Sequence, residues 1–144
     1  MELIKPSPVN LARQAELLQF HFPESRSIID NGTLVWTNDI TPTPLSCTYK
    51  VKLIYQWNRE PDVFVVDQKL KLAKGKTKLP HVYSTPKQHL CLYYRKGREW
   101  NSQMLLAKTV IPWASEWLQF YELWLPQGVW YGGGIEHEDA VEST

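Results

Sequence analysis

Cysteine is scarce in this chain: there are only Cys47 and Cys91, with four histidines beside them. None of His21, His81, His89 and His137 stands at metal-ligand spacing from a cysteine, so no metal centre is expected. Two cysteines so far apart are not expected to pair in a reducing compartment. No glycine-rich loop follows a strand, which leaves nowhere for a nucleotide and gives no reason to expect a cofactor. Long hydrophobic runs are missing too, since no stretch approaches the roughly 20 apolar residues of a membrane helix. The beginning, "MELIKPSPVNLARQAELL", lacks the apolar core and cleavage site of a secretory signal. Together these absences predict a cytoplasmic protein with no membrane partner. Charge of one sign is lacking as well: 16 basic against 15 acidic residues leave +1, so no global field favours nucleic acid.

Apolar and aromatic side chains are plentiful. With 43% hydrophobic residues and 7 tryptophans in 144 residues, the chain can bury one core and has little room for two. One domain is expected over residues 1–134, followed by an acidic, flexible tail over 135–144. "NLARQAELLQFHFP" spaces Leu11, Ala15, Leu18 and Phe22 as a helix does, with Asn10 as N-cap and Pro23 as stop. "TLVWTNDITPTPLS" is strand-like but holds two prolines, so it reads as an edge strand or a crossing loop. "CTYKVKLIYQW" alternates, with Cys47, Tyr49, Val51, Leu53, Tyr55 and Trp57 on one face. This places Cys47 in the core. "DVFVVDQKL" follows the turn "NREP" and completes a hairpin.

The run "KLKLAKGKTK" invites a nucleic-acid reading through Lys69, Lys71, Lys74, Lys76 and Lys78. Its lysines alternate with Leu70 and Leu72, and no arginine or stacking aromatic joins them, so it reads as a solvated strand edge. Ser102 is placed to cap a short helix through Ile111. "PWASEWLQFYELWL" then sets Trp113, Trp117, Phe120, Tyr121 and Trp124 on one helical face, an aromatic stripe for packing against a sheet. A helix, antiparallel strands, a long cysteine-bearing segment and closing helices make an α+β order.

Cys91, in "LPHVYSTPKQHLCLYYRKGREW", admits two readings. Free cysteine is among the most buried residue types, which makes it a small core residue. Acyl transfer through a thioester, however, asks only for an accessible thiolate and an oxyanion donor, because a thioester is already activated. Turn-forming "STPKQ" and polar "YYRKGRE" flank Cys91 as loops around such a nucleophile would. His89 lies on the same side of an extended segment as Cys91 and, when protonated, would favour the thiolate.

The element order and these motifs resemble the ubiquitin-conjugating enzyme family. They resemble more closely its bacterial branch beside cyclic-oligonucleotide synthases in anti-phage defence operons (CBASS). "LPHVY" stands where the family has His-Pro-Asn, "HLCLY" where it has Ile-Cys-Leu, and Trp100 where it has a downstream tryptophan. "IPWASEWLQFYELWL" with "GVWYGGG" is similar to the branch's tryptophan-rich C-terminal signature, and the resemblance covers residues about 11 to 134. It implies the ubiquitin-conjugating (UBC) fold: an N-terminal helix, a four-stranded antiparallel meander, a cysteine-bearing loop and C-terminal helices. It implies a conjugating acyltransferase in which Cys91 takes the C-terminal glycine of a partner as a thioester and passes it to an amine. The implied partner is the synthase (CD-NTase), whose C-terminal tail would lie along a groove near Cys91 and whose signalling the reaction would regulate. Tyr83, His89 and Trp100 are the implied substrate-binding residues. Leu79 replaces the family's histidine and His81 its asparagine, so His81 either donates to the oxyanion in that asparagine's place or orders the loop. A separate protein must supply the activated thioester. The alternative from the same fold is a catalytically silent scaffold that binds the synthase or another defence protein. A basic-edge nucleic-acid binder ranks behind both.

Overall fold

The computed structural model describes residues 7–133. Its first element is α1 (Leu11–His21), which starts where Asn10 accepts a hydrogen bond from the Arg13 amide at 2.8 Å and ends before Pro23. Six antiparallel strands follow: β1 (Arg26–Asp30), β2 (Thr33–Ile40), β3 (Tyr49–Gln56), β4 (Asp62–Val65), β5 (Val82–Ser84) and β6 (His89–Leu90). They form one sheet in the order β1-β2-β3-β4-β6-β5, and α2 (Val110–Trp124) closes the described chain. The architecture is α+β, with both helices outside an antiparallel sheet.

The sheet has six strands rather than the expected four: its first four run as a meander, but they include β1, which was not foreseen. The edge strand β1 carries little hydrophobic signal because most of "RSIID" is exposed. It is held by a two-residue turn in which Asn31 and Gly32 both take positive φ (49° and 73°), the conformation a tight hairpin requires. That makes β2 an interior strand rather than an edge, and it ends at Ile40, ahead of both prolines. β3 alternates as read: Tyr49, Val51, Leu53 and Tyr55 are buried, with Lys50 and Lys52 on the opposite face. Trp57 falls in the following turn and is 42% exposed.

Cys47 lies before β3 and is exposed, not in the core. Glu122 of α2 explains this, because it accepts from Ser46 Oγ (2.6 Å), the Cys47 amide (3.2 Å) and Tyr49 Oη (2.7 Å). Those bonds turn the backbone away before the alternation reaches Cys47.

The lysine run is not a strand either. The Leu70 amide donates to Gln88 Oε1 (2.7 Å) and the Lys71 carbonyl accepts from Tyr121 Oη (2.8 Å), so side chains do what a neighbouring strand would have done. Leu70 and Ala73 are nevertheless buried, fastening the segment to the core. Downstream, the expected helix from Ser102 is a single 3₁₀ turn, Leu106–Lys108, and Ser102 Oγ donates to Asn58 Oδ1 at 2.9 Å instead of capping. α2 is therefore a single 15-residue helix, with Pro112 in its first turn where a missing N–H costs nothing. Trp117, Tyr121 and Trp124 are buried as the stripe predicts, while Trp113 and Phe120 are only half-buried. The acidic tail over 135–144 lies outside the described residues.

Two buried glutamines stitch these parts together. Gln14 of α1 donates to the Met104 carbonyl and accepts from the Leu106 amide, each at 2.9 Å. Gln88 holds the Leu70 amide and donates to the carbonyls of Val65 (2.9 Å) and Gln68 (2.8 Å). Gln88→Leu keeps the volume and removes all three bonds. Each buried group left without a partner costs about 1–3 kcal/mol, so a loss of about 2–4 kcal/mol is expected in urea unfolding. An unchanged midpoint would show that the clamp is not structural.

Candidate functional site

Strands β5 and β6 form a short hairpin closed at Thr85–Gln88, where the Gln88 amide donates to the Thr85 carbonyl at 3.1 Å. Val82 pairs with Leu90 in its register, and both side chains point into the core. One step further along, the Cys91 amide donates to the His81 carbonyl at 3.1 Å. His81 and Cys91 therefore face each other across the mouth of the hairpin. His81 adopts φ 44°, a left-handed conformation that asparagine tolerates better than most residues.

Both residues open onto a groove of about 390 Å³ between the hairpin and α2. Trp113, Trp117 and Phe120 of α2 form its helical wall, so the aromatic stripe serves the core with one part and the groove with the other. The Trp117 indole donates to the His81 carbonyl at 3.0 Å, which fixes the loop against the helix. Trp130, downstream of α2, stacks on the His81 ring with centroids 5.0 Å apart. His81 is thus covered and 8% exposed, while Cys91 is half-buried at the groove. Gly132 lies so close to Phe120 that a Cβ there would meet its ring carbon at 2.9 Å, so this stretch of "GVWYGGG" needs its glycine.

The resting sulfur of Cys91 is 3.6 Å from the Tyr93 carbonyl. Burial first, and then the neighbouring Cys91, push the Tyr83 hydroxyl well above the ordinary tyrosine value, so it keeps its proton. The Arg95 guanidinium sits over the Tyr83 ring, 4.6 Å from its centroid, and the His89 ring leans on Tyr83 at 4.8 Å. Asp62 reaches both side chains: its Oδ1 is 3.0 Å from His89 Nε2 and 2.8 Å from Arg95. Tyr93 donates its hydroxyl to Glu60.

The structure therefore brings Cys91, His81 and Tyr83 together. His89 is stacked on Phe64 at 4.5 Å and leans on Tyr83 at 4.8 Å. Trp100 is not at the groove: it is 3% exposed, donates to Thr109 Oγ1 at 3.1 Å and meets Tyr55 edge-on. The charged pair Asp62 and Arg95 and the covering Trp130 were not foreseen as site residues. Arg95 lay in a stretch read only as polar loop, and Asp62 only as part of a strand. Among the described residues, no group of three His, Cys, Asp or Glu could hold a metal ion. No helix there is long and apolar enough to cross a membrane.

An antiparallel α+β domain presenting one half-buried cysteine at an aromatic groove suits covalent chemistry on an extended acyl chain. A family model described as the Type II CBASS E2 protein matches residues 14–138, and the chain belongs to that family. Membership gives it an E2-like role in CBASS antiviral defence, alongside the other components of such systems. A comparison with curated proteins finds no match.

Burial works to raise the Asp62 carboxyl, but the hydrogen bonds from His89 and Arg95 outweigh it and hold the carboxyl below the ordinary carboxylate range. A depressed folded value stabilises the protein above the unfolded aspartate value, roughly 4, and that contribution is lost as pH falls through the folded value. Asp62→Asn is therefore expected to lower stability near neutrality by up to about 1 kcal/mol, since the partly exposed pair is screened. The gap to wild type should close below pH roughly 4, as read by thermal melts across pH. A gap independent of pH would remove the ionic role.

Proposed function

We propose that this chain is a UBC-fold acyltransferase that works through a thioester on Cys91. The activated carbonyl is the C-terminal glycine of the cyclic-oligonucleotide synthase of the same defence system. The Cys91 thiolate attacks that carbonyl, a C–S bond forms, and the thiolate of a separate activating protein departs. An amine then attacks the new thioester, the C–N bond forms, Cys91 leaves as thiolate, and the amine's proton passes to solvent. The outcome is a conjugate of the synthase that regulates anti-phage signalling. A free thiol is required throughout, which suits the reducing cytoplasm.

The observation that carries this reading is the placement of Cys91. It stands just past the last residue of β6, at an open groove and opposite His81, while Cys47 sits in a loop tied to Glu122. A groove walled by aromatic side chains and narrowed by Gly132 suits an extended tail ending in glycine. His81 is the candidate oxyanion donor. Its burial beneath Trp130 is the one feature that favours the second reading, a silent scaffold binding the synthase tail.

Incubation with the synthase and a competent activating enzyme is expected to give a covalent adduct that thiol reductant removes. Cys91→Ala should abolish it, and Cys91→Ser should trap a more durable oxyester. Cys47→Ala should keep the adduct and, at an exposed position, change stability by no more than about 0.5 kcal/mol. Equal binding of the synthase by wild type and Cys91→Ala, with no reductant-sensitive band, would hand the case to the scaffold.

His81 is tested separately by single-turnover transfer. His81→Ala should slow it by roughly 10²-fold, the loss expected for one oxyanion donor. His81→Asn should retain the rate, since asparagine suits the left-handed backbone and carries an amide donor. Equal rates for all three proteins would reduce His81 to a loop residue.

A further inference from the structure

We propose that the edge strand β1 is a self-association surface, on which a second copy of this chain pairs antiparallel through its own β1 with Ile28 opposite Ile28. Among the described residues no strand lies beyond β1 in the sheet. α1 packs against it, yet Arg26, Ile28, Ile29 and Asp30 stay exposed. Ile28 is 68% exposed, and its register neighbours Val35 and Ile54 are half-buried, so an apolar row runs to the edge of the sheet and stops there. Natural sheet edges are commonly blunted by lysine, proline or a bulge. β1 has none of these: it reads "RSIID" and pairs with β2 over five residues without a register shift.

Backbone geometry and charge select the same register. Asp30 and Thr33 flank the two-residue turn and exchange hydrogen bonds across the hairpin. Alternation then turns the N–H and C=O groups of Arg26 and Ile28 toward β2 and those of Ser27 and Ile29 outward. A second β1 meets these outward groups when its Ile29 lies opposite Ser27 and its Ser27 opposite Ile29. That register sets Ile28 on the two-fold axis and Arg26 of each copy opposite Asp30 of the other. Both are non-hydrogen-bonded pairs, in which side chains approach most closely. Arg26 and Asp30 are the only charges of the strand, they have opposite signs, and they share the face of Ile28. Neither forms an ion pair with another described residue. Two other registers match the hydrogen-bonding groups, Ser27 on Ser27 and Ile29 on Ile29, and both lose the two ion pairs. The strand is therefore complementary to itself in one register, as an isologous interface requires.

Five residues a side fall short of the roughly 20–30 of a standard interface, so the dimer is weak and forms at high concentration. β1 stands at the opposite end of the sheet order from the β5–β6 hairpin, so the pairing leaves the Cys91 groove of both copies open. The inference does not rest on the chemistry of Cys91.

The test is sedimentation velocity of the full chain under reducing conditions, at concentrations from roughly 10 μM to 1 mM. The sedimentation coefficient of the wild type should rise with concentration toward that of a dimer. Ile28→Lys sets two like charges against each other on the axis and should weaken association at least roughly tenfold. Arg26→Asp and Asp30→Arg, made singly, each leave like charges opposite one another and should weaken it too. The double variant Arg26→Asp with Asp30→Arg is again complementary to itself and should recover the dimer, which a merely unfolded or nonspecifically perturbed edge would not do. Thermal melts of each variant confirm that the monomer is folded. A wild type that stays monomeric throughout overturns the proposal. So does a dimer that survives Ile28→Lys, which would lie on another face, or a double variant that associates no better than the single ones, which would exclude this register.

Discussion

Gln88 is the constraint on which the site depends. The hairpin that carries Cys91 has strands of three and two residues and meets the main sheet through a single register pair, Phe64 with His89. A hairpin that short is not stable by its ladder alone. The buried amide of Gln88 supplies what the ladder lacks by bonding to Leu70, Val65 and Gln68, so the hairpin, the end of β4 and the crossing segment become one body. Leu90 and Val82 then enter the core on one side of the hairpin. Cys91 emerges just beyond the point where pairing stops, with its amide satisfied and its sulfur at the groove. Rigid support for a reactive group at the end of a strand is what keeps a near-attack geometry without burying the nucleophile.

The second helix completes the arrangement by serving two environments at once. Trp117 and Tyr121 stack in parallel at 5.6 Å one turn apart, and each spends its polar atom on the backbone it packs against: Trp117 on His81, Tyr121 on Lys71. For His81 this is a second bond on a carbonyl that also accepts from the Cys91 amide, and in both cases a buried aromatic side chain contributes packing and a donor together. The neighbouring Trp113 and Phe120, about 40–60° round the same helix from Trp117, leave the core and wall the groove. One aromatic stripe thereby links the stability of the domain to the shape of its site.

Much of the fold was legible because long periodic segments carry their own geometry. α1, β3, β4 and the buried face of α2 follow from spacing alone, and "DNGTL" held the Asn-Gly pair that closes the β1–β2 hairpin, a signal left unused. The errors share one cause. Alternation in "KLKLAKGKTK" and at Cys47 was read as sheet where no neighbouring strand exists, because distant side chains, Gln88 and Glu122, claim those backbone groups. Strands of two or three residues leave no period to detect, so β5 and β6 were hidden inside what read as a loop. At the site, Cys91, His81 and Tyr83 were found through motif order. Asp62 and Arg95 were not, because an ion pair across 33 positions leaves no local pattern.

The polar groups around Cys91 fall into two sets. His81, with its carbonyl held by Trp117 and its ring stacked on Trp130, orders the loop facing Cys91. Tyr83, Arg95, His89 and Asp62 form the second: Arg95 and His89 lie against the Tyr83 ring, and Asp62 reaches both, which keeps the field of this set local. A protonated imidazole in direct contact with a thiol makes it more acidic, but it also holds the sulfur ready for any oxidant or electrophile. A thiol of intermediate basicity is the better compromise where, as proposed for Cys91, it both attacks one thioester and departs from the next.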